Sequence, residues 1–206
     1  MPYYNSHTHA TQLGEKAIVQ APMQNLQIPH SIGVHPCEAD QWKDTLLPSL
    51  LLHRECRAVG EIGLDALKGP SLAIQKQVFE AQILMANAHR KPIILHVVRA
   101  WSDFYQIYAK HTPQTPWILH GFNAPKQIKE VLKRSLYIGL GPSSFENPNM
   151  LSQVSNLPKD RILLETDDSP MPISEVYLRY AEACGSPLED VALKIEKNFL
   201  AIFGPW

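Results

Sequence analysis

The sequence predicts a single-domain α/β protein, a distorted (β/α)₈ barrel of the TIM type whose first two helices are missing or reduced. Three observations carry that expectation. Eight short apolar runs recur along the 206 residues. Most of them lack strict alternation, as strands buried on both faces do. Helical stretches separate the later runs, and strands alternating with helices make a parallel sheet.

The runs are 2–7 (PYYNSH), 17–20 (AIVQ), 30–35 (HSIGVH), 57–64 (RAVGEIGL), 92–98 (PIILHVV), 116–122 (PWILHGF), 135–141 (SLYIGLG) and 161–167 (RILLETD). Between them, 73–90 reads as a helix with Ile74, Val78, Phe79, Ile83 and Ala86 on one stripe. A second helix over 102–111 starts with Ser102 as its N-cap. Residues 124–134 place Ile128, Val131 and Leu132 at helical spacing. Residues 174–184 run from an N-cap Ser174 to a terminal Gly185, and 187–203 from Pro187 to Gly204. The early gaps are short. The stretches between His9 and Ala17 and between Gln20 and His30 do not comfortably hold a crossover helix with its turns. The apolar run Ala17–Ile18–Val19 then needs a cover. The chain's end, with Phe203, Pro205 and Trp206, or a second subunit is expected to supply it.

Composition narrows the function classes. Hydrophobic residues make up 45%, enough for a sizeable core, and no stretch reads as a linker, so residues 1–206 are taken as one domain. Nineteen Lys and Arg face twenty Asp and Glu, with no basic run. A large electrostatic footprint for nucleic acid or membrane is therefore not written into the chain, although a basic pocket is allowed. No apolar run approaches the ~20 residues of a membrane helix. Three cysteines without a C-x-x-C, and no secretory leader, lead to the expectation of a cytoplasmic protein, monomeric or homodimeric, with small buried thiols.

The ionisable residues cluster by position. His7 and His9 end the first run, His35 the third, and Glu61 lies near the end of the fourth. His96 and His120 fall late in the fifth and sixth, and Asp167 ends the eighth. In such barrels the active site lies at the C-terminal ends of the strands. Polar groups within apolar strands are costly without partners, and a shared divalent metal centre makes each of them a ligand. A His-x-His pair alone is weak evidence for metal; four of these histidines together with the two carboxylates, at matching strand ends, are strong evidence.

These residues sit in segments that resemble the TatD-type metal-dependent deoxyribonucleases of the amidohydrolase superfamily. The matching segments are SHTH (6–9), GVHP (33–36), VGEIGLD (59–65), QKQVFEAQILMA (75–86), KPIILHVVRA (91–100), ILHGF (118–122), LLETD (163–167) and NFLAIFG (198–204). They occur in the family's order and cover the chain from end to end. The resemblance implies a site for two divalent ions on His7, His9, Glu61, His96, His120 and Asp167, with Glu61 as the bridging carboxylate. It implies DNA as substrate and a water oriented or deprotonated by Asp167, for which the competing role is a helix N-cap. The ligand types admit zinc, manganese or magnesium. The chain departs from the family at Asn5, where Asp is usual, and in ETDDSP, whose extra residue makes Asp168 a rival of Asp167. Asp167 is preferred because it follows Glu-Thr directly and shares strand parity with Glu165.

Further roles are read more openly. Asn5 and Glu165 lie two residues before a ligand and either orient imidazoles or make core hydrogen bonds. Arg99 is a candidate phosphate contact or a surface ion pair. His35 is a substrate contact or a loop hydrogen bond. Asp65 is read as a loop-ordering carboxylate, and His30, His53, His89 and His111 as residues of loops or solvated faces. Two other functions compete with a DNase. One is a hydrolase of the same architecture acting on a small ester, phosphoester or amide, which the near-neutral charge favours slightly. The other is a non-enzymatic metal-binding protein.

Overall fold

The computed structural model describes residues 2–20, 27–43 and 47–205. In chain order its elements are β1 (Tyr3–Thr8), β2 (Glu15–Gln20), β3 (His30–Ile32), a 3₁₀ turn (Pro36–Gln41), α1 (Leu47–Leu51), β4 (Cys56–Asp65) and α2 (Leu72–Ala88). There follow β5 (Ile93–Val98), α3 (Trp101–His111), β6 (Trp117–Leu119), α4 (Ile128–Leu132) and β7 (Leu136–Leu140). The last are α5 (Pro142–Glu146), α6 (Pro148–Val154), β8 (Ile162–Leu164), α7 (Ile173–Cys184) and α8 (Leu188–Phe203). Each of the eight expected strands is present. No helix among the described residues is long and apolar enough to cross a membrane.

The chain divides into two compact units, one built from the residues before Gln20 and after Ile118, the other from Gln20–Ile118. In the first unit β1 pairs in parallel with β2, and β7 with β8. β1 also meets the end of β8. The His9 N–H donates to the Asp167 carbonyl at 3.0 Å, and the Thr166 and Asp167 N–H groups donate to the His7 carbonyl at 3.3 and 3.1 Å. Helix α8 packs against β1 and β8, with the Tyr4 and Phe199 rings 4.9 Å apart. From α7, the Tyr177 hydroxyl accepts from the Tyr4 N–H and donates to the Tyr4 carbonyl, both at 3.0 Å. Asn198 of α8 donates to the carbonyls of Lys159 and Ile162, each at 2.8 Å. These bonds anchor both ends of the sheet that carries His7 and Asp167.

In the second unit β3, β4 and β5 pair in parallel, and α2 packs on β4. Glycine sets how closely β4 and β5 approach. A Cβ on Gly63 would lie 2.0 Å from the His96 carbonyl oxygen, and Gly63 has φ +145°. Helix α2 buries Val78, Phe79, Ile83 and Ala86, whereas Ile74 is exposed and Gln75 and Gln82 are buried instead. Each glutamine hydrogen-bonds loop or strand-end backbone through its amide, which is what makes its burial tolerable.

The early connection is as short as expected. Residues 9–14 hold turns and no helix. Most of the second gap, 21–26, lies outside the described residues. Ala17, Ile18 and Val19 are all buried. Phe203 is buried within α8, Pro205 is exposed, and Trp206 lies outside the described residues. Other expectations need correction. Helix α3 begins at Trp101, so Ser102 lies inside it, and α7 begins at Ile173 rather than behind Ser174. His30 is fully buried in β3, because its Nδ1–H donates to the Ile28 carbonyl at 2.7 Å and the neutral ring fits a core. Of the thiols only Cys56 is buried; Cys37 and Cys184 are partly exposed.

Candidate metal centre

The first unit gathers His7, His9, His120, Glu165 and Asp167. His7 and His9 are two apart at the end of β1 and point to one side, their ring centroids 5.4 Å apart. Both Nε2 atoms lie 3.4 Å from Asp167 Oδ1. One ligand atom from each of His7, His9 and Asp167 can be chosen so that all lie within 4.8 Å of one another. His120, in the turn after β6, brings its ring centroid to 4.7 Å from that of His7 and its Nδ1 to 3.9 Å from Asp167 Oδ2. Asp167 holds the left-handed region at φ 56°, which turns its carboxylate back toward the histidines. Its neighbour Asp168 is exposed. The extra residue of ETDDSP therefore leaves Asp167 as the aspartate among the histidines.

Glu165 is fully buried beneath this group. Its Oε1 accepts a short hydrogen bond from the Gly121 N–H and lies 3.8 Å from His120 Nδ1. A Cβ on Gly139 would come within 2.2 Å of Glu165 Oε2, so glycine there makes room for the carboxyl. Burial raises the Glu165 pKa, and the nearby His120 and His7 only partly offset it. Asp167 behaves oppositely. Burial alone would raise its pKa, but hydrogen bonds from His7 and His9 outweigh that and take it below the ordinary carboxylate range. Two carboxyls two residues apart thus differ in ionisation tendency because of their surroundings. Asn5 donates to Thr166 Oγ1 at 2.8 Å and to Glu15 Oε2 at 3.0 Å, and accepts from the Thr166 N–H at 3.2 Å. It thereby ties down the residue between Glu165 and Asp167.

The second unit holds His35, Glu61 and His96, each offering one ligand atom within 4.8 Å of the others. His35 Nε2 and His96 Nδ1 lie 3.8 and 3.6 Å from Glu61 Oε2. The other nitrogen of His35 accepts from the Cys37 N–H at 3.1 Å, so this ring also starts the 3₁₀ turn. His96 Nε2 lies 3.1 Å from Asp65 Oδ2. Burial alone would lower the His96 pKa, but Glu61 and Asp65 outweigh it and raise it. Arg99, at φ 55°, is exposed just beyond β5.

Imidazole nitrogens and carboxylate oxygens at these spacings are a donor set that suits a divalent cation. The groups of both units can bind metal on that chemistry. Gln75, Gln82 and Thr166 lie inside the resembling segments but carry no charge that marks them as site residues. The signal for the glutamines was their seven-residue spacing on the buried face of α2.

Comparison with known proteins gives one consistent picture. A family model described as TatD related DNase matches residues 6–204. The protein named Deoxyribonuclease Tat-D of Schizosaccharomyces pombe is 30% identical over 155 residues, covering 66% of this chain and 50% of that protein. The uncharacterized metal-dependent hydrolase YabD of Bacillus subtilis is 34% identical over 146 residues, covering 66% and 57%. The chain thus spans about half the length of these curated relatives. Among solved structures, a TatD-family hydrolase of Entamoeba histolytica superposes with a TM-score of 0.84 at 14% identity, covering 100% and 99% of the two chains. The TatD homologue YJJV of Escherichia coli gives 0.82 at 21%, covering 99% and 98%. The likeness to these structures shows the fold, a barrel of eight parallel strands with alternating helices.

Proposed function

Because the chain belongs to the TatD related DNase family, we propose that it is a metal-dependent hydrolase cleaving DNA phosphodiester bonds. The observation that carries this reading is the meeting of His7, His9 and Asp167 within 4.8 Å. We assign the metal ligands as His7, His9, His120 and Asp167 in one unit and Glu61 and His96 in the other, for two divalent ions, zinc, manganese or magnesium. When bound, such ions supply positive charge to a phosphodiester and make a water more acidic.

The remaining work falls to the chain's own groups. Asp167 accepts a proton from the attacking water at its carboxylate. Glu61 acts through its negative charge. Glu165 holds the His120 side, and Asn5 holds Thr166 beside Asp167, so both keep ligands in place. Arg99, exposed and always charged, contacts a phosphate of the substrate, and His35 meets the substrate beside Glu61. The match over 6–204 supports treating residues 1–206 as one domain. The free cysteines support a reducing, cytoplasmic setting, with the protein as monomer or homodimer.

The balanced charge of −1 favours a second reading, hydrolysis of a small ester, phosphoester or amide at the same groups. A substrate panel separates the two. Protein loaded with Mn²⁺ or Zn²⁺ is assayed on single-stranded DNA, double-stranded DNA and chromogenic esters. Cleavage of DNA in preference to the esters is the expected result; turnover of the esters alone would replace the DNase reading with the second one.

A further inference from the structure

We propose that Trp101 and Arg99 form a nucleotide subsite on the rim of the second unit, in which the Trp101 ring stacks on a base of a single strand while Arg99 and Lys68 hold its phosphates. The inference rests on the DNase reading and adds where the strand is gripped beside Glu61 and His96.

The rim is built from the ends of two neighbouring strands. β4 carries Glu61 and β5 carries His96, and Asp65 pairs with Val98 where both strands end. The Ala66 N–H then donates to the Val98 carbonyl at 2.9 Å, so the loop after β4 leaves the sheet beside Arg99. That loop is held firmly. Asp65 Oδ1 accepts from the N–H groups of Leu67 at 2.7 Å and Lys68 at 3.0 Å. From α2, Gln75 Nε2 donates to the carbonyls of Lys68 and Pro70 at 3.0 and 2.8 Å. The loop nonetheless presents Leu67, 69% exposed, and Lys68 to solvent. A hydrogen-bonded backbone thus fixes an apolar side chain and a cation in water at the end of β4.

On the β5 side, Arg99 is exposed and takes the left-handed region at φ 55°, which turns the chain sharply from β5 into α3. Trp101 is the first residue of α3 and is partly exposed. Its ring is braced from within the helix. The Phe104 ring lies 6.1 Å away, edge-on, and the Tyr105 ring 5.9 Å away, tilted by 36°. Phe104 is fully buried, so the Trp101 side chain is anchored on the core although part of it meets water. Nearby lysines of α2 and α3 are already engaged, Lys76 with Asp103 at 2.7 Å and Lys110 with Glu80. Arg99 and Lys68 enter no ion pair among the described residues, so two positive charges stand beside an aromatic ring at the ends of the strands that carry Glu61 and His96. Arg99 and Trp101 are two residues apart, at most about 7 Å along the backbone. A base and its own phosphate keep a comparable separation. Cations together with an aromatic ring are the recognition chemistry of single strands, whose unpaired bases offer a face to stack on. The balanced overall charge leaves recognition to such a local group.

Fluorescence anisotropy in the presence of a chelator, which keeps cleavage from consuming the probe, compares a short labelled oligo(dT) with an abasic oligomer of the same length. Wild type should bind oligo(dT) the more tightly. Trp101→Ala should weaken oligo(dT) about 5–100-fold and leave the abasic oligomer within about twofold, whereas Trp101→Phe should stay within about threefold of wild type on both. Arg99→Ala should weaken both probes alike and lower the salt dependence by about one ion. Equal losses of Trp101→Ala on the two probes, or no loss on either, would overturn the subsite. Photocross-linking of wild type to an oligo(dT) carrying one iodouracil needs no variant to fold. The adduct should map to Trp101, and an adduct confined to peptides outside residues 99–105 would overturn the subsite as well. A chain that binds oligo(dT) through Trp101 yet does not hydrolyse it with Mn²⁺ would count against the proposed function and leave the subsite standing. Hydrolysis by wild type together with unchanged binding by Trp101→Ala would do the reverse.

Discussion

His9 and Asp167 are joined twice: the His9 N–H donates to the Asp167 carbonyl at 3.0 Å, and His9 Nε2 lies 3.4 Å from Asp167 Oδ1. Backbone and side chain thus bring the end of the first strand and the end of the last to one point. The link explains why a carboxylate at φ 56° remains aimed at the histidines.

Asp167→Asn should lower DNA cleavage at least about 100-fold while the protein stays folded. Asn tolerates the left-handed region, so the backbone is kept and the charge is lost. Asp168→Asn should remain within about threefold of wild type, because Asp168 is exposed. Steady-state rates of the two purified variants check this, and equal losses in both would contradict the choice of Asp167.

Gly139→Ala tests the space under the site. Its Cβ would lie 2.2 Å from Glu165 Oε2, so the buried carboxyl must shift. A destabilisation of about 1–3 kcal/mol is expected, with weaker Mn²⁺ binding because Glu165 lies below His120. Urea unfolding and calorimetry measure both. An unchanged midpoint would mean that Glu165 is not held as described.

Tyr177→Phe removes a hydroxyl that satisfies both backbone groups of Tyr4. Leaving two buried polar groups unmatched should cost about 2–4 kcal/mol. The strand affected is the one that carries His7 and His9. A loss below about 0.5 kcal/mol in urea unfolding would show that the clamp contributes little.

His30 gives a signed pH effect. Burial lowers its pKa from 6.5, outweighing the Ile28 carbonyl that pulls the other way. The unfolded chain therefore takes up the proton first as pH falls. The contribution of His30 to stability is complete above 6.5 and declines as pH drops from there toward the lower folded value. The decline can reach about 1.4 kcal/mol per pH unit. In His30→Gln, stability measured from neutral to mildly acid pH should fall less steeply than in wild type. Parallel slopes would contradict a buried neutral His30.

Much of the framework was legible because strand ends carry position as well as composition. The runs that carry His7, His96 and Asp167 form β1, β5 and the extension of β8, and the absence of a helix after β1 follows from the short gap. Other features had no local signal. The apolar residues alone define a stripe on α2 that puts Ile74 inward, while Gln75 and Gln82 take buried positions because loop backbone meets them there. The short α5 and α6 span five and seven residues, too few turns to display a period. The burial of His30 depends on a carbonyl two residues away, a contact that composition does not reveal. The expected loop-ordering role of Asp65 belongs to its Oδ1, which accepts from the Leu67 and Lys68 N–H groups. The reach of Asp65 to His96 arises from strand register, which pairs Gly63 with His96 and Asp65 with Val98.

The most direct measurement is cleavage of an end-labelled single-stranded DNA by the 206-residue chain, first with Mn²⁺, then after chelation, then with Mn²⁺ restored, alongside Asp167→Asn under the same conditions. Metal-dependent hydrolysis is expected that disappears on chelation, returns with Mn²⁺ and is lost in the variant. DNA that stays intact with Mn²⁺, or is cut equally well after chelation or by Asp167→Asn, would contradict a metal-dependent nuclease built on these residues.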